Sequence, residues 1–319
     1  MKRKLIIVDG QSTVGKSTTS KSVYEQIRGQ AGCFWLHEEC ERHPIRFGEF
    51  EAGDVHTAEG MEANRRDMLS KWVRFAGQIV ESNQICVTEG CLLHAIDRYL
   101  LTSVWDMDEI LHYFSQIEQI LRPLDPLIVF LYRPDIRTSF EKAFAQRGDW
   151  WRELILRRPE PYGYFADHEY TGDDSVFASV TMEQSTMSEV FDALECDKLK
   201  IDTTDERWDD YVRAIVETVG FSYALREDPP AQAERYCGTY QLQGGEDIWK
   251  IDYDEQSQQL YTSLFWPYMS MRYIGGDRFE LISFPVRLDF DFSAGVPLFS
   301  IEGNYDWDYN GRTFVKMGI

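Results

Sequence analysis

The chain has 319 residues, 43% of them hydrophobic, which is enough for a sizeable core and for about two domains. Lysine and arginine number 33 against 54 aspartates and glutamates, so the net charge is −21, and such a surface repels both a phosphate backbone and anionic lipid. Extended nucleic acid and membrane surfaces are therefore not expected partners, and no apolar run approaches the ~20 residues that a membrane span needs.

The predicted elements alternate from the start. Residues 5–8 (Leu-Ile-Ile-Val) form a first short strand, preceded by a basic stretch, Met1-Lys-Arg-Lys4, and ended by Asp9. The apolar stretch is too short for a cleavable signal. Residues 33–36, 84–88, 127–132 and 199–201 are further near-continuous apolar runs, as expected of strands buried on both faces of a parallel sheet. Helical patterns lie between them. Met68, Trp72, Phe75 and Ile79, with Leu69, Val73, Ala76 and Val80, make one stripe of period 3.6. Five strands with intervening helices predict an α/β doubly wound domain over residues 1–222. Arg226-Glu-Asp-Pro-Pro230 has the polarity and stiffness of a linker. The hydrophobic period then changes to 2: Trp249, Ile251 and Tyr253 alternate with Lys250, Asp252 and Asp254, and Leu288, Phe290 and Phe292 alternate with Arg287, Asp289 and Asp291. With turn signals at Gly244-Gly245, Gly275-Gly-Asp277 and Ser293-Ala-Gly295, residues 233–319 predict a small antiparallel barrel or sandwich of about eight strands.

The strongest chemical signal follows the first strand. Gly10, Gln11, Ser12, Thr13, Val14, Gly15, Lys16, Ser17 and Thr18 spell the G-x-x-x-x-G-K-[ST] phosphate loop, placed between a strand and a helical stretch as that loop requires. Its glycines let backbone N–H groups close around a β-phosphate, and the helix N-terminus adds positive potential. Lys16 reaches the β- and γ-phosphates, and Ser17 offers its hydroxyl to Mg²⁺.

Other residues narrow the chemistry. The second strand ends in Trp35-Leu-His-Glu38-Glu39, and the third in Val87-Thr-Glu89-Gly90, followed by Asp97-Arg98-Tyr99. Carboxylates at the C-terminal ends of parallel strands face the crevice in which ligands bind. A carboxylate there can take the proton of an attacking hydroxyl; the competing reading for Glu38 is a solvated acidic loop, for Glu89 a capped helix start, and for Asp97 and Arg98 a surface ion pair. Residues 133–158 hold seven lysines and arginines against four acids, and residues 1–30 hold six against two, two positive islands in an acidic chain.

These motifs, over about residues 3–220, resemble the P-loop kinases, specifically the nucleoside and nucleotide kinase group that includes deoxynucleoside kinases and thymidylate kinase. The resemblance implies ATP and Mg²⁺ as cofactors and a small-molecule phosphoryl acceptor, nucleoside- or nucleotide-like. It implies Glu38 as general base, Glu89 as the residue that orients water on Mg²⁺, and Arg98 as a phosphate or substrate contact. It implies that residues 133–158 form a lid, with Arg147 the first candidate and Arg152 the second to close over the transferring phosphoryl group. Two departures are visible: Gly90 stands where the family has an arginine after the glutamate, and the spacing to Asp97-Arg98-Tyr99 is two residues longer.

Residues 159–197 carry Pro161-Tyr-Gly-Tyr-Phe165, His168 and Tyr170, which suits either a substrate-side insertion or a packed surface segment. His37, His43, His56, His94, His112 and His168 show no ligand spacing and are expected to be structural or solvated, with His94 and His112 placed to line an acceptor pocket. Cysteines 33, 40, 86, 91, 196 and 237 form no C-x-x-C pair. They predict reduced thiols, no zinc site and a cytoplasmic setting. The β-rich part carries no chemical motif and suggests a homodimer interface or a protein partner. Besides a kinase, including one for an antibiotic or a sugar nucleotide, the sequence is compatible with an NTP-hydrolysing switch signalling through the β-rich part, or with a nucleotide-binding protein without catalysis.

Overall fold

The computed structural model describes residues 3–40, 42–45, 52–54, 57–95, 106–157, 164–224, 232–265, 268–293, 295–303 and 309–318. Compactness divides the chain into two units. The first comprises Met1–Glu38, Arg42–Lys142 and Glu153–Ala224; the second comprises Glu39–Glu41, Ala143–Arg152 and Leu225–Ile319. The linker expected at 226–230 lies outside the described residues.

In chain order the first unit contains β1 (Leu5–Gly10), α1 (Lys16–Arg28), β2 (Cys33–Leu36), α2 (Ala58–Ser82), β3 (Ile85–Glu89), α3 (Met107–Leu121) and β4 (Leu127–Tyr132). After these come α4 (Ile136–Arg147), α5 (Asp149–Leu156), α6 (Tyr164–Asp167), α7 (Asp173–Ala193), β5 (Asp197–Asp202) and α8 (Trp208–Thr218); the end of α4 and the start of α5, through Arg152, fall in the second unit. The sheet is parallel throughout, in the order β2-β3-β1-β4-β5. The inner strands β1 and β3 are buried at every position, whereas the edge strand β2 is half-buried and β5 is largely exposed. The apolar runs read from the sequence are thus buried on both faces only in the middle of the sheet.

Strand alternation sorts the side chains. Leu5, Ile7, Cys86, Ile128 and Phe130 turn to one face and pack with Trp72, Phe75 and Ile79 of α2, Tyr113, Phe114 and Ile117 of α3, and Met187, Val190 and Phe191 of α7. Ile6, Val8, Val87 and Val129 have the opposite parity and lie on the side covered by α1 and α8. The helices start and stop where local chemistry demands. The Thr57 hydroxyl accepts the Gly60 N–H at 3.1 Å to open α2, and Asn83 closes it with φ +54°. Asp106 accepts the Glu109 N–H at 2.9 Å to open α3.

The second unit holds a short helix, α9 (Ala233–Tyr236), and eight strands: β6 (Gly238–Leu242), β7 (Ile248–Asp254), β8 (Gln259–Thr262), β9 (Met269–Gly275), β10 (Arg278–Leu281), β11 (Val286–Asp291), β12 (Leu298–Gly303) and β13 (Thr313–Lys316). Each pairs antiparallel with its sequence neighbours, and β13 pairs with β6, so the meander closes into a barrel rather than a sandwich. Trp249 and Ile251 turn inward while Lys250 and Asp252 turn outward. The interior is filled by side chains, as suits a barrel of this size. Trp249 stacks on Phe314 with ring centres 3.8 Å apart, Phe314 stacks on Phe299 at 5.2 Å, and Tyr236 of α9 meets Phe279, Phe290 and Phe292 edge-on. The Tyr236 hydroxyl donates to Asp277 at 2.6 Å, which satisfies the one polar end of that ring. None of the six cysteines forms a disulfide, and among the described residues no helix is long and apolar enough to cross a membrane.

Phe299→Ala should lower barrel stability by about 3–5 kcal/mol in urea unfolding, since a fully buried ring stacked on two others leaves a cavity. Val296→Ala, at a position half open to solvent, should stay within about 0.5 kcal/mol.

Candidate active site

The loop between β1 and α1 is held by contacts that its glycines make necessary. At Gly10, with φ +145°, a Cβ would strike the carbonyl oxygen of Leu131 on β4. At Gly15, with φ +93°, a Cβ would stand 2.5 Å from Cη2 and Cζ3 of Trp208, whose indole lies against the loop. Between them, Thr13 sits at φ +76° with its hydroxyl 2.6 Å from that of Ser139 on α4. The Gln11 amide donates to Glu183 of α7 at 2.6 Å and accepts the Ser12 N–H at 2.7 Å. Helix α1 opens at Gly15 with no side-chain cap and no acid in its first turn, leaving the dipole's positive end to an incoming phosphate. Lys16 is buried, and its ammonium rests 3.4 Å from the Gln11 carbonyl.

Two carboxylates end the neighbouring strands, on opposite faces. Glu89 pairs in register with Val8, so it shares the parity that faces α1. It is fully buried. The Ser17 hydroxyl reaches its two oxygens at 2.9 and 3.0 Å, His37 Nε2 lies 3.1 Å from Oε1, and the Glu38 backbone N–H donates to the same carboxylate. Burial pushes the Glu89 carboxyl up to about 7, opposed by the charge of Lys16 and the Ser17 hydrogen bond, and reinforced by the charge of Asp9. Asp9, one residue past Val8, takes the opposite parity. Its carboxylate accepts the N–H groups of Gly10, Leu92, Leu93 and His94 at 2.8–3.0 Å, and so fixes the loop that leaves β3. Burial raises its pKa as well, against the pull of Lys16 and those N–H donors.

Glu38 joins this group through its side chain. Gly90 adopts φ +63°, and a Cβ there would collide with Glu38 Oε2 and stand 3.3 Å from Lys16 Cε. The Glu38 carboxylate therefore lies over the bare Cα of Gly90, beside the stem of Lys16. A larger residue at position 90, such as the arginine of the resembling kinases, would occupy the place that Glu38 takes here.

Lys16, Ser17, Glu38 and Glu89 are thus brought together. Arg98 lies outside the described residues, as does Asp97. Arg147 ends α4, with its guanidinium 4.4 Å over the Trp151 ring; Arg152 lies 5.9 Å over Phe144. Both arginines belong to the second compact unit. Arg133, at the end of β4, is buried. It donates to Thr203 at 3.2 Å and to Glu206 at 2.9 Å, and Lys142 adds a contact to Glu206 at 2.5 Å. That network ties the loop after β4 to the loop after β5. Of residues 159–197, the described aromatics include Tyr164 stacked on His168 at 4.0 Å and Phe165 edge-on to Tyr170 at 6.2 Å.

The sequence reading takes Asp9 only as the end of the first strand and His37 as structural or solvated, and does not name Glu183 or Trp208. Strand parity was the available signal for two of them. Asp9 follows Val8 and must turn to the face opposite Glu89, and His37 shares the parity of Trp35, whose indole N–H donates to Ser20 of α1 at 3.0 Å. Glu183 and Trp208 had no local signal.

No three histidines, cysteines or acids among the described residues gather as a self-sufficient metal site. The hydroxyl of Ser17 beside the two oxygens of Glu89 is instead a pair of hard oxygen ligands of the kind that Mg²⁺ takes together with substrate phosphates. The residues present fit Mg²⁺ entering with a nucleotide.

The sequence matches no protein-family model and no curated protein. Among solved structures, the chain is similar to an unliganded sugar kinase from Janibacter sp. HTCC2649, at TM-score 0.37 and 9% identity over 69% of this chain and 96% of that one. It is similar to a provisionally assigned kinase from Chloroflexus aurantiacus, at TM-score 0.33 and 14% identity over 68% of this chain and 98% of that one. It is also similar to the signal recognition particle receptor FtsY from Elizabethkingia anophelis in complex with GDP, at TM-score 0.26 and 13% identity over 67% of this chain and 63% of that one. The assignment of a parallel α/β fold rests on the chain's own strand order.

A folded-state value of about 7, against an ordinary 4.5, means that folded Glu89 binds its proton more tightly than the unfolded chain does. The nucleotide-free protein should therefore lose stability as pH rises from about 4.5 through about 7. Glu89→Gln should remove that part of the loss. Thermal unfolding should show the variant gaining on the wild type between about pH 5 and pH 8.

Proposed function

We propose that the chain is an ATP- and Mg²⁺-dependent phosphotransferase that acts on a hydroxyl-bearing small molecule, nucleoside- or nucleotide-like in class. The observation that carries this reading is the meeting of Lys16, Ser17, Glu38 and Glu89 at the C-terminal ends of β1, β2 and β3, with Glu38 seated over Gly90. A nucleotide-hydrolysing loop needs Lys16 and Ser17. A second carboxylate, placed apart from the metal-side pair and left room by a glycine, is what a transferase needs to take an acceptor's proton.

In this reading the backbone of residues 10–18 cradles the phosphates, and Lys16 gives up its contact with the Gln11 carbonyl to neutralise the β- and γ-oxygens. Ser17 and Glu89 would hold Mg²⁺, which would supply charge neutralisation of the transferring group. Glu38 accepts the hydroxyl proton as the acceptor oxygen meets the γ-phosphorus. Arg147 and Arg98 remain proposed lid and substrate contacts. The catalytic reading concerns residues 1–222; the barrel of 233–319, whose interior is packed, is read as acting through its outer wall on a second copy or a protein partner.

The test is ADP release with Mg²⁺ across a panel of nucleosides, nucleotides, sugars and antibiotics, with wild type beside Lys16→Ala and Glu38→Gln. Acceptor-dependent release should appear with at least one class and be lost in both variants. Release that ignores every acceptor and survives Glu38→Gln would instead mark an NTP-hydrolysing switch. Gly90→Ala should cost on the order of 100-fold in kcat, because the added methyl displaces the Glu38 carboxylate and presses on the stem of Lys16.

A further inference from the structure

His37 immediately precedes the proposed base, and its imidazole is buried against Glu89 rather than turned to solvent. Glu89 is a fully buried carboxylate with three donors identified around it: the Ser17 hydroxyl, His37 Nε2 and the Glu38 backbone N–H. Under the phosphotransfer reading, on which this inference rests, the Ser17 hydroxyl oxygen turns to the metal. The donors that stay with Glu89 are then both supplied by the end of β2. When Glu89 is ionised it only accepts, and the His37 nitrogen that faces Oε1 at 3.1 Å is then the one that carries the proton.

The ring is itself held. Trp35 stands edge-on to it with ring centres 5.3 Å apart, the Trp35 indole donates to Ser20 of α1, and the Lys21 ammonium lies 4.6 Å over the Trp35 ring. A line of contacts thus runs from the first two turns of α1, through Trp35 and His37, to the carboxylate that faces the start of the same helix. We infer that His37 is a positioning residue that fixes Glu89 toward Ser17 and so sets how strongly Mg²⁺ tightens nucleotide binding. His37 would touch neither nucleotide nor acceptor. Its effect passes through Glu89, in the way that outer partners orient the groups nearest a metal.

The experiment is calorimetric titration of ADP, with Mg²⁺ and with EDTA, into wild type, His37→Ala, His37→Phe and His37→Gln. Phenylalanine keeps the ring against Trp35 but donates nothing; glutamine places an amide N–H near the position of Nε2. The alanine and phenylalanine variants should bind ADP in EDTA within about twofold of wild type and lose about tenfold or more of the Mg²⁺-dependent gain, with glutamine restoring most of it. In turnover with an acceptor, kcat should fall while the acceptor KM holds. An unchanged Mg²⁺ gain in both His37→Ala and His37→Phe overturns the inference. So does equal loss of ADP binding in EDTA, failure of both variants to fold, or a glutamine variant no better than alanine, since each marks a merely structural histidine. Wild-type protein that binds ADP no better with Mg²⁺ than without would overturn the phosphotransfer reading itself, and this inference with it.

Discussion

A buried carboxylate at the end of β3 is the constraint around which the first unit is arranged. Glu89 is cut off from water, and an ionised group in that position needs donors and a nearby cation. The structure supplies them from separate elements: Ser17 from α1, His37 and the Glu38 N–H from the end of β2, and charge from Lys16. In the proposed reading, Lys16 and Ser17 are also the groups that a nucleotide and its metal would call upon. Burial raises the Glu89 pKa in spite of those partners.

The phosphate loop is fixed by contacts that reach well beyond its own residues. Trp208 lies on Gly15, Glu183 holds Gln11, and Ser139 meets Thr13 at a positive φ. Gln184 of α7 donates to the Arg133 carbonyl at 2.9 Å, and Arg133 in turn holds Thr203 and Glu206. The two adjacent residues Glu183 and Gln184 thus tie the phosphate loop and the loop after β4 to one helix. The loop after β5 joins through Glu206, two positions before Trp208. Loops at the C-terminal edge of a parallel sheet carry the chemistry, and here they are braced against one another. Such preorganisation lowers the reorganisation needed when phosphates bind.

The barrel solves a different problem. Closing β13 onto β6 removes the free edges that an open antiparallel meander would expose. Among the described residues the inward positions are taken up by rings packed on rings, which hold the barrel together. Its polar alternate positions face outward.

Local pattern alone determined much of this protein. The apolar runs placed five strands, the change of period from 3.6 to 2 placed the barrel region, and the glycines with Lys16 and Ser17 identified the phosphate loop, because each of these signals lies within a few residues of sequence. Glu38 and Glu89 were legible as carboxylates at the ends of two adjacent strands. Tertiary structure decided the rest. Alternation is the same in a sandwich and in a barrel, and only the pairing of β13 with β6 separates the two. Gln11 finds Glu183 across 172 residues of chain, Glu38 finds the bare Cα of Gly90, and His37 finds Glu89 only because β2 and β3 lie side by side. Sequence records the period and the local turn of the chain, whereas the donors that satisfy a buried charge are chosen by strand order and packing.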